Sequence, residues 1–149
     1  MRHSRGFVLI EALVTVLILS VLAAAAYPSF HRYVVRSKRV EAQAALLMLM
    51  QQQERYFTQN NSYIAFSSAS TDEQERQFKW WSGVSAASSA YEVEGKACPG
   101  ERIADCVQLV ATPGTEQVDH LFRDEECEQL TLTSTGLRQA SGPGTRCWR

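Results

Sequence analysis

The sequence predicts an α+β fold: one long N-terminal helix, apolar over its first half and amphipathic over its second, packed on a small antiparallel β-sheet with a disulfide-bounded C-terminal loop. Three observations predict it. Phe7 to Tyr27 is a run of 21 residues whose only charge is Glu11, no helix breaker stands between Ser29 and Phe57, and beyond Ser89 short alternating segments are separated by turn residues.

The apolar run comes first. At about 1.5 Å per residue it reaches roughly 30 Å as a helix, the thickness of a bilayer core, so residues 7–27 are long enough to span one. A carboxylate in such a segment costs about 2.5 to 3.5 kcal/mol near the middle and less toward an end, so Glu11 needs a partner or a function. It is the fifth residue after Gly6. Past Pro28 the chain stays rich in Ala, Leu, Met, Gln, Glu and Arg, and the helix is expected to continue with a kink at Pro28 rather than a stop. Ala42, Ala45, Leu46, Leu49 and Tyr56 recur at three- and four-residue steps, a stripe that lies against a sheet, with Leu47 and Met48 expected to widen it. The turn signal Gln59-Asn60-Asn61-Ser62 closes the helix.

From Ser67 to Ser89 no period is visible, and the segment, which holds the Trp80-Trp81 pair, reads as an irregular connection with room for a short helix. Tyr91-Glu-Val-Glu, Val107-Gln-Leu-Val-Ala-Thr and Leu130-Thr-Leu-Thr then alternate as half-buried strands do. Ser134-Thr-Gly136 turns the chain into Leu137 to Ala140, giving three or four antiparallel strands.

Charge is distributed unevenly. The formal net charge is −1, yet Arg32, Arg36, Lys38 and Arg39 crowd just after the apolar run, while residues 40–149 carry 9 basic and 15 acidic side chains, a net of −6. An acidic C-terminal portion argues against a general electrostatic grip on nucleic acid. The basic group is expected to contact lipid headgroups or acidic residues of neighbouring subunits. All four cysteines, Cys98, Cys106, Cys127 and Cys147, fall in the last third, downstream of a segment that resembles an export signal, which favours disulfides over thiols. Neighbourhood favours Cys98 with Cys106 and Cys127 with Cys147, although spacing alone does not decide among the three pairings.

Enzyme chemistry lacks its parts. His3 lies in the leader, His31 at the membrane boundary and His120 alone among charged residues, so no catalytic residue is assigned. Cys98 and Cys106 have no Cys-x-x-Cys or His partner, so no zinc site is expected. There is no phosphate-binding glycine loop, and no cofactor is expected. Asp124-Glu-Glu126 with Glu128 reads as a solvated acidic loop rather than a calcium site. Arg138, Arg146, Trp148 and Arg149 offer the one small basic and aromatic patch on which DNA could be held, the alternative being a Trp148 packed on the sheet with arginines that offset nearby acids.

A plain secretory signal peptide, with Arg2 and Arg5 as its basic region and Ala24-Ala25-Ala26 as its cleavage site, explains neither the length of the run nor Glu11. Gly6-Phe7-Val8-Leu9-Ile10-Glu11 resembles the processing site of the type IV prepilin family. The resemblance implies cleavage between Gly6 and Phe7 by a prepilin peptidase, N-methylation of Phe7, and a role for Glu11 in assembly. Tyr27-Pro-Ser-Phe, Tyr33-Val-Val-Arg-Ser-Lys-Arg, Gln-Glu54-Arg-Tyr-Phe57, Asn60-Asn-Ser-Tyr63, Leu130 to Gly136 and Cys147-Trp148 are similar to PilE-type pilins of Gram-negative bacteria; the Trp80-Trp81 region and the Cys98 to Cys106 loop have no counterpart in that pattern.

What the resemblance implies is a structural subunit of a pilus, a minor pilin, with a leader over 1–6, a polymerisation helix over 7–28 and a periplasmic head over 29–149. It also implies a single-pass inner-membrane stage, then an extracellular pilus, with other pilins and the assembly platform as partners. The orientation rests on the resemblance, because only Arg2 and Arg5 precede the run. Two alternatives are a pseudopilin of a type II secretion system, which should lack the Cys127 to Cys147 tail, and a pilus-associated DNA receptor.

Overall fold

The computed structural model describes the backbone of residues 5–148 and the side chains of residues 9–27 and 30–148. Helix α1 runs Arg5–Asn60, 56 residues, and its backbone passes through Pro28 without stopping. By internal packing the chain forms two units, Met1–Arg36 and Ser37–Arg149.

Within the first unit, residues 9–27 of α1 are apolar on every side apart from Glu11. Each large hydrophobic side chain from Leu9 to Leu22 is between 48% and 66% exposed, so no face is sheltered by the chain itself. Such a helix belongs in lipid or among other helices. The hydroxyls of Thr15 and Ser20 donate to backbone carbonyls of the preceding turn, at 2.8 Å to Ala12 O and 2.7 Å to Leu17 O.

In the second unit the rest of α1 packs its stripe on a four-stranded antiparallel meander: β1 Tyr91–Ala97, β2 Val107–Pro113, β3 Leu130–Thr133 and β4 Arg138–Ala140, in that spatial order. Ala42, Leu46 and Leu49 of the helix share one core with Tyr91, Val93, Val107, Leu109, Ala111, Leu130 and Leu132. The register sets Val93 opposite Ala111 and Leu109 opposite Leu132, so alternate residues of each strand face the helix. Leu47 and Met48 depart from expectation: they are 43% and 70% exposed. At about 100° per residue they point roughly 140° and 120° away from Ala42, off the stripe rather than beside it. The helix ends as its sequence indicates. Asn61 takes a left-handed φ of 53°, and its N–H donates to Phe57 O at 2.8 Å, a single-bond αL cap.

The connection between helix and sheet is irregular, with single 3-10 turns at Glu75–Gln77 and Ala86–Ser88. It is anchored nonetheless. Buried Gln53 uses its carboxamide like a strand, donating to Ile64 O and accepting from Ile64 N. Phe66 and Trp81 bridge to Gly95 and Glu92, covering the outer edge of β1. At the other edge the Trp148 indole N–H donates to Gln139 O at 2.7 Å.

At Gly95 the Phe66 ring abuts the strand: a Cβ there would sit 2.5 Å from Phe66 Cε1. Gly95→Ala is therefore expected to destabilise the folded chain by about 1 to 3 kcal/mol, read as a lowered urea midpoint at unchanged slope.

Candidate functional site

Two sets of residues stand out, one in each unit. In the first, Glu11 projects from the all-apolar helix. Its side chain is exposed and makes no hydrogen bond or ion pair among the described residues, whereas Thr15 and Ser20 are satisfied by their own backbone. Glu11 is thus the one polar side chain of the described apolar segment whose partner must come from outside the helix. Only the backbone of Gly6 and Phe7 is described, and Arg2 and His3 lie outside the described residues.

In the second unit a charged cluster ties the helix to the C-terminal loop. The Arg39 guanidinium donates through Nε to Asp124 Oδ2 and through Nη2 to Asp124 Oδ1, both at 2.7 Å, and Nη2 also reaches Glu126 Oε2 at 2.8 Å. Tyr91 Oη donates to Asp124 Oδ2 at 2.5 Å, and Cys127 N to Oδ1 at 3.1 Å. Arg39 is 6% exposed and Asp124 3%.

Burial pushes the Asp124 carboxyl up, but the hydrogen bonds from Arg39, Tyr91 and Cys127 outweigh it and hold the group below its ordinary value. Arg39 is raised, first by its hydrogen bond to Asp124; Tyr91 is raised by burial and then by the adjacent carboxylate. This corrects two expectations. Arg39 does not join Arg32 and Arg36 as a membrane-proximal contact, because it lies three residues before Ala42 and shares the core-facing side. Asp124 is not part of a solvated loop, since its carboxylate is spent on four donors.

Both disulfides are present, Cys98 with Cys106 and Cys127 with Cys147, with Cα separations of 5.4 and 5.5 Å. Cys127–Cys147 closes the C-terminal loop beside the charged cluster, and Gln43 of the helix donates to Cys147 O. Within that loop Gly144 N–H donates to Glu126 O at 2.7 Å, and a Cβ on Gly144 would lie 2.6 Å from the same oxygen, so only glycine lets the two strands of the loop meet.

The basic and aromatic residues near the C-terminus are partly brought together. Arg138 stacks over the Trp148 ring at 5.8 Å, and Arg146 is exposed. Arg149 lies outside the described residues. A separate depression of about 460 Å³ is lined by Ser67, Arg76, Lys79, Trp80 and Trp81 among others. Trp80 and Trp81 meet edge to face at 5.0 Å. His31 and His120 are exposed.

Sequence reasoning missed Arg39, Tyr91 and Asp124 as a group. The helical period of Arg39 with Ala42 and Leu46 was the available signal for the first of them, and nothing local marks Asp124.

Comparison with known proteins places this arrangement. A family model described as "Type IV minor pilin ComP, DNA uptake sequence receptor" matches residues 28–131, more than half of the chain, and one described as "Prokaryotic N-terminal methylation motif" matches residues 1–27. The chain is 36% identical over 95 residues to the type IV major pilin protein PilA of Myxococcus xanthus, a match that takes in 64% of this chain and 43% of that protein. The chain therefore spans less than half the length of that curated relative. Among solved structures it is similar to a type IV pilin from Shewanella oneidensis, at 23% identity and a TM-score of 0.47 over 77% of this chain and 98% of that one. It is also similar to the Neisseria meningitidis non-core minor pilin PilV, at 22% identity and a TM-score of 0.49 over 77% and 94%.

Removing Asp124 leaves the buried Arg39 guanidinium with only its contact to the largely exposed Glu126, and Tyr91 without its acceptor. Asp124→Ala is expected to cost about 3 to 5 kcal/mol of stability, measured by urea unfolding. Because the folded pKa of Asp124 is depressed, its contribution is fully present above the unfolded value of about 3.9 and is lost as pH falls through the folded one. In Asp124→Asn the decline of stability between pH 4 and pH 2 should be shallower than in the wild type.

Proposed function

We propose, from the premise that this chain belongs to the type IV pilin family, that it is a minor pilin made as a prepilin, cleaved between Gly6 and Phe7, N-methylated at Phe7, and polymerised through its apolar helix. The leader is then residues 1–6, the polymerisation helix 7–28 and the exported head 29–149. The observation that carries the proposal is Glu11: a lone carboxylate, five residues past Gly6, on a helix exposed and apolar all round.

The chemistry follows from charge. Cleavage after Gly6 frees a positive α-amine on Phe7, and in a bundle of such helices the Glu11 of one subunit meets the amine of another. A pairing in that dry surround offsets the cost of burying the carboxylate and fixes the axial register. Before assembly the same helix rests in the inner membrane; afterwards it lines the core of an extracellular fibre among other pilins. Prepilin peptidase and the assembly platform act on the membrane-held form. The Cys127–Cys147 loop, clamped to the helix through Arg39 and Gln43, weighs against the pseudopilin alternative, in which that tail should be missing.

A second reading, DNA receptor, is favoured by the family whose model matches residues 28–131, described as a DNA uptake sequence receptor, and by the Arg138–Trp148 pair near exposed Arg146. Here Trp148 would stack on a base while the arginines hold phosphate.

Glu11→Ala is expected to leave membrane insertion and processing intact while lowering incorporation into filaments severalfold, scored by immunoblot of sheared pili against whole cells. Wild-type incorporation by the variant would remove Glu11 from the mechanism. For the second reading, a gel-shift titration of the chain against duplex DNA should give salt-sensitive binding that weakens in Arg138→Ala/Arg146→Ala. Binding absent at low salt would sink it.

A further inference from the structure

At the end of the apolar run and just beyond it the helix carries three exposed aromatic side chains, Tyr27, Phe30 and Tyr33, at 75%, 67% and 71%. Tyrosines at the end of an apolar segment of bilayer length mark the lipid–water interface. Interleaved with them are Arg32 and Arg36, both exposed and four residues apart, so one stands above the other on the same face.

Among the described residues neither arginine has an anionic partner. No Asp or Glu occurs between Glu11 and Glu41. Glu41 is taken by Lys38 at 3.1 Å, and Asp124 and Glu126 by Arg39. Among the described residues no salt bridge involves Arg32 or Arg36.

Position and direction together identify what they meet. The Cα of Arg32 lies about 7.5 Å past that of Tyr27 along the helix, and the Cα of Arg36 about 13.5 Å past it. A long side chain on a helix covers the turn N-terminal to its own Cα, so both guanidinium groups lean back toward the apolar run by roughly one turn, about 5 Å. That brings them to about 2 and 8 Å beyond Tyr27, bracketing a headgroup layer some 5 to 8 Å thick. Guanidinium forks match phosphate oxygens bidentately, and Tyr33, next to Arg32 in sequence, adds a hydroxyl on the adjoining face.

We propose that Arg32 and Arg36, with Tyr33 beside them, clamp the phosphate of an anionic phospholipid headgroup, fixing the depth of the unassembled subunit in the membrane. The proposal rests on the reading that residues 7–27 span a bilayer before assembly. It also accounts for a basic group on the side of the span that the resemblance places outside the cytoplasm, against the usual charge bias: lipid phosphates supply the missing counter-charge.

The test uses the full-length chain in nanodiscs of equimolar phosphatidylglycerol and phosphatidylcholine, with retained lipid identified by native mass spectrometry. The wild type should retain phosphatidylglycerol over phosphatidylcholine by about tenfold or more, and R32Q/R36Q should fall to within about twofold of no preference while floating with vesicles as the wild type does. R32K/R36K should keep part of the preference, since charge survives and the fork does not. Equal retention of the two lipids by the wild type, or a preference unchanged in R32Q/R36Q, overturns the proposal. So does self-association in pure phosphatidylcholine that R32Q/R36Q abolishes, which would place acidic side chains of a second copy against the arginines. Failure of the wild type to float would overturn the membrane reading itself.

Discussion

A helix that is apolar on every side and carries one unpartnered carboxylate has few places to be. Water is excluded by the exposed side chains from Leu9 to Leu22, and a purely apolar surround is costly for Glu11. A bundle of like helices meets both conditions once each helix carries a positive N-terminus, and a lipid bilayer meets the first while tolerating the second near its edge. The proposed order, membrane residence followed by polymerisation, is compatible with this one surface. Thr15 and Ser20, the other polar side chains of the segment, do not change that account because their hydroxyls are already bonded within the helix.

The head answers a different requirement. A small sheet packed on one helix has a modest core, and it is reinforced where helix, sheet and C-terminal loop converge. Asp124 receives Arg39 from the helix, Tyr91 from β1 and the backbone of Cys127 from the loop, so one buried carboxylate joins three elements. The Cys127–Cys147 bridge, spanning 20 residues, contributes about 3 kcal/mol in the chain-entropy picture and holds the loop against that carboxylate. Within the acidic run only Asp124 is buried, as an anchor for Arg39; Glu126 adds one contact to the same guanidinium, and Glu125 and Glu128 stay exposed. The edges of the sheet are occupied as well, by Phe66 and Trp81 on one side and Trp148 on the other, which leaves little free strand for unintended pairing.

Much of this is legible in the sequence because it is periodic. The apolar run, the 42-45-46-49 stripe and the alternation in Tyr91-Glu-Val-Glu or Val107-Gln-Leu-Val each express a local repeat, and the helix stop at Asn60-Asn61 expresses local turn chemistry. Glu11 is legible for the opposite reason, as a breach of its surroundings. Arg39 and Asp124 are 85 residues apart, and no local pattern joins them; the charge-rich neighbourhood of Arg39 disguises its inward face. Leu47 and Met48 mislead in the other direction, being apolar yet turned away from the core. The stretch from Ser67 to Ser89 is held by the single Trp81–Glu92 bridge and by side-chain bonds from Gln52 to Gln77 O and from Tyr56 to Gln74, contacts that leave no periodic trace.

The claim on which the account turns is that the apolar helix begins, in its working form, with a charged Phe7 that gives Glu11 its partner. Intact mass together with N-terminal sequencing of the chain recovered from membranes tests it directly. A mature chain that starts at Phe7 and carries one added methyl group is the expected result. A chain starting at Tyr27, with the apolar run and Glu11 removed, would contradict it.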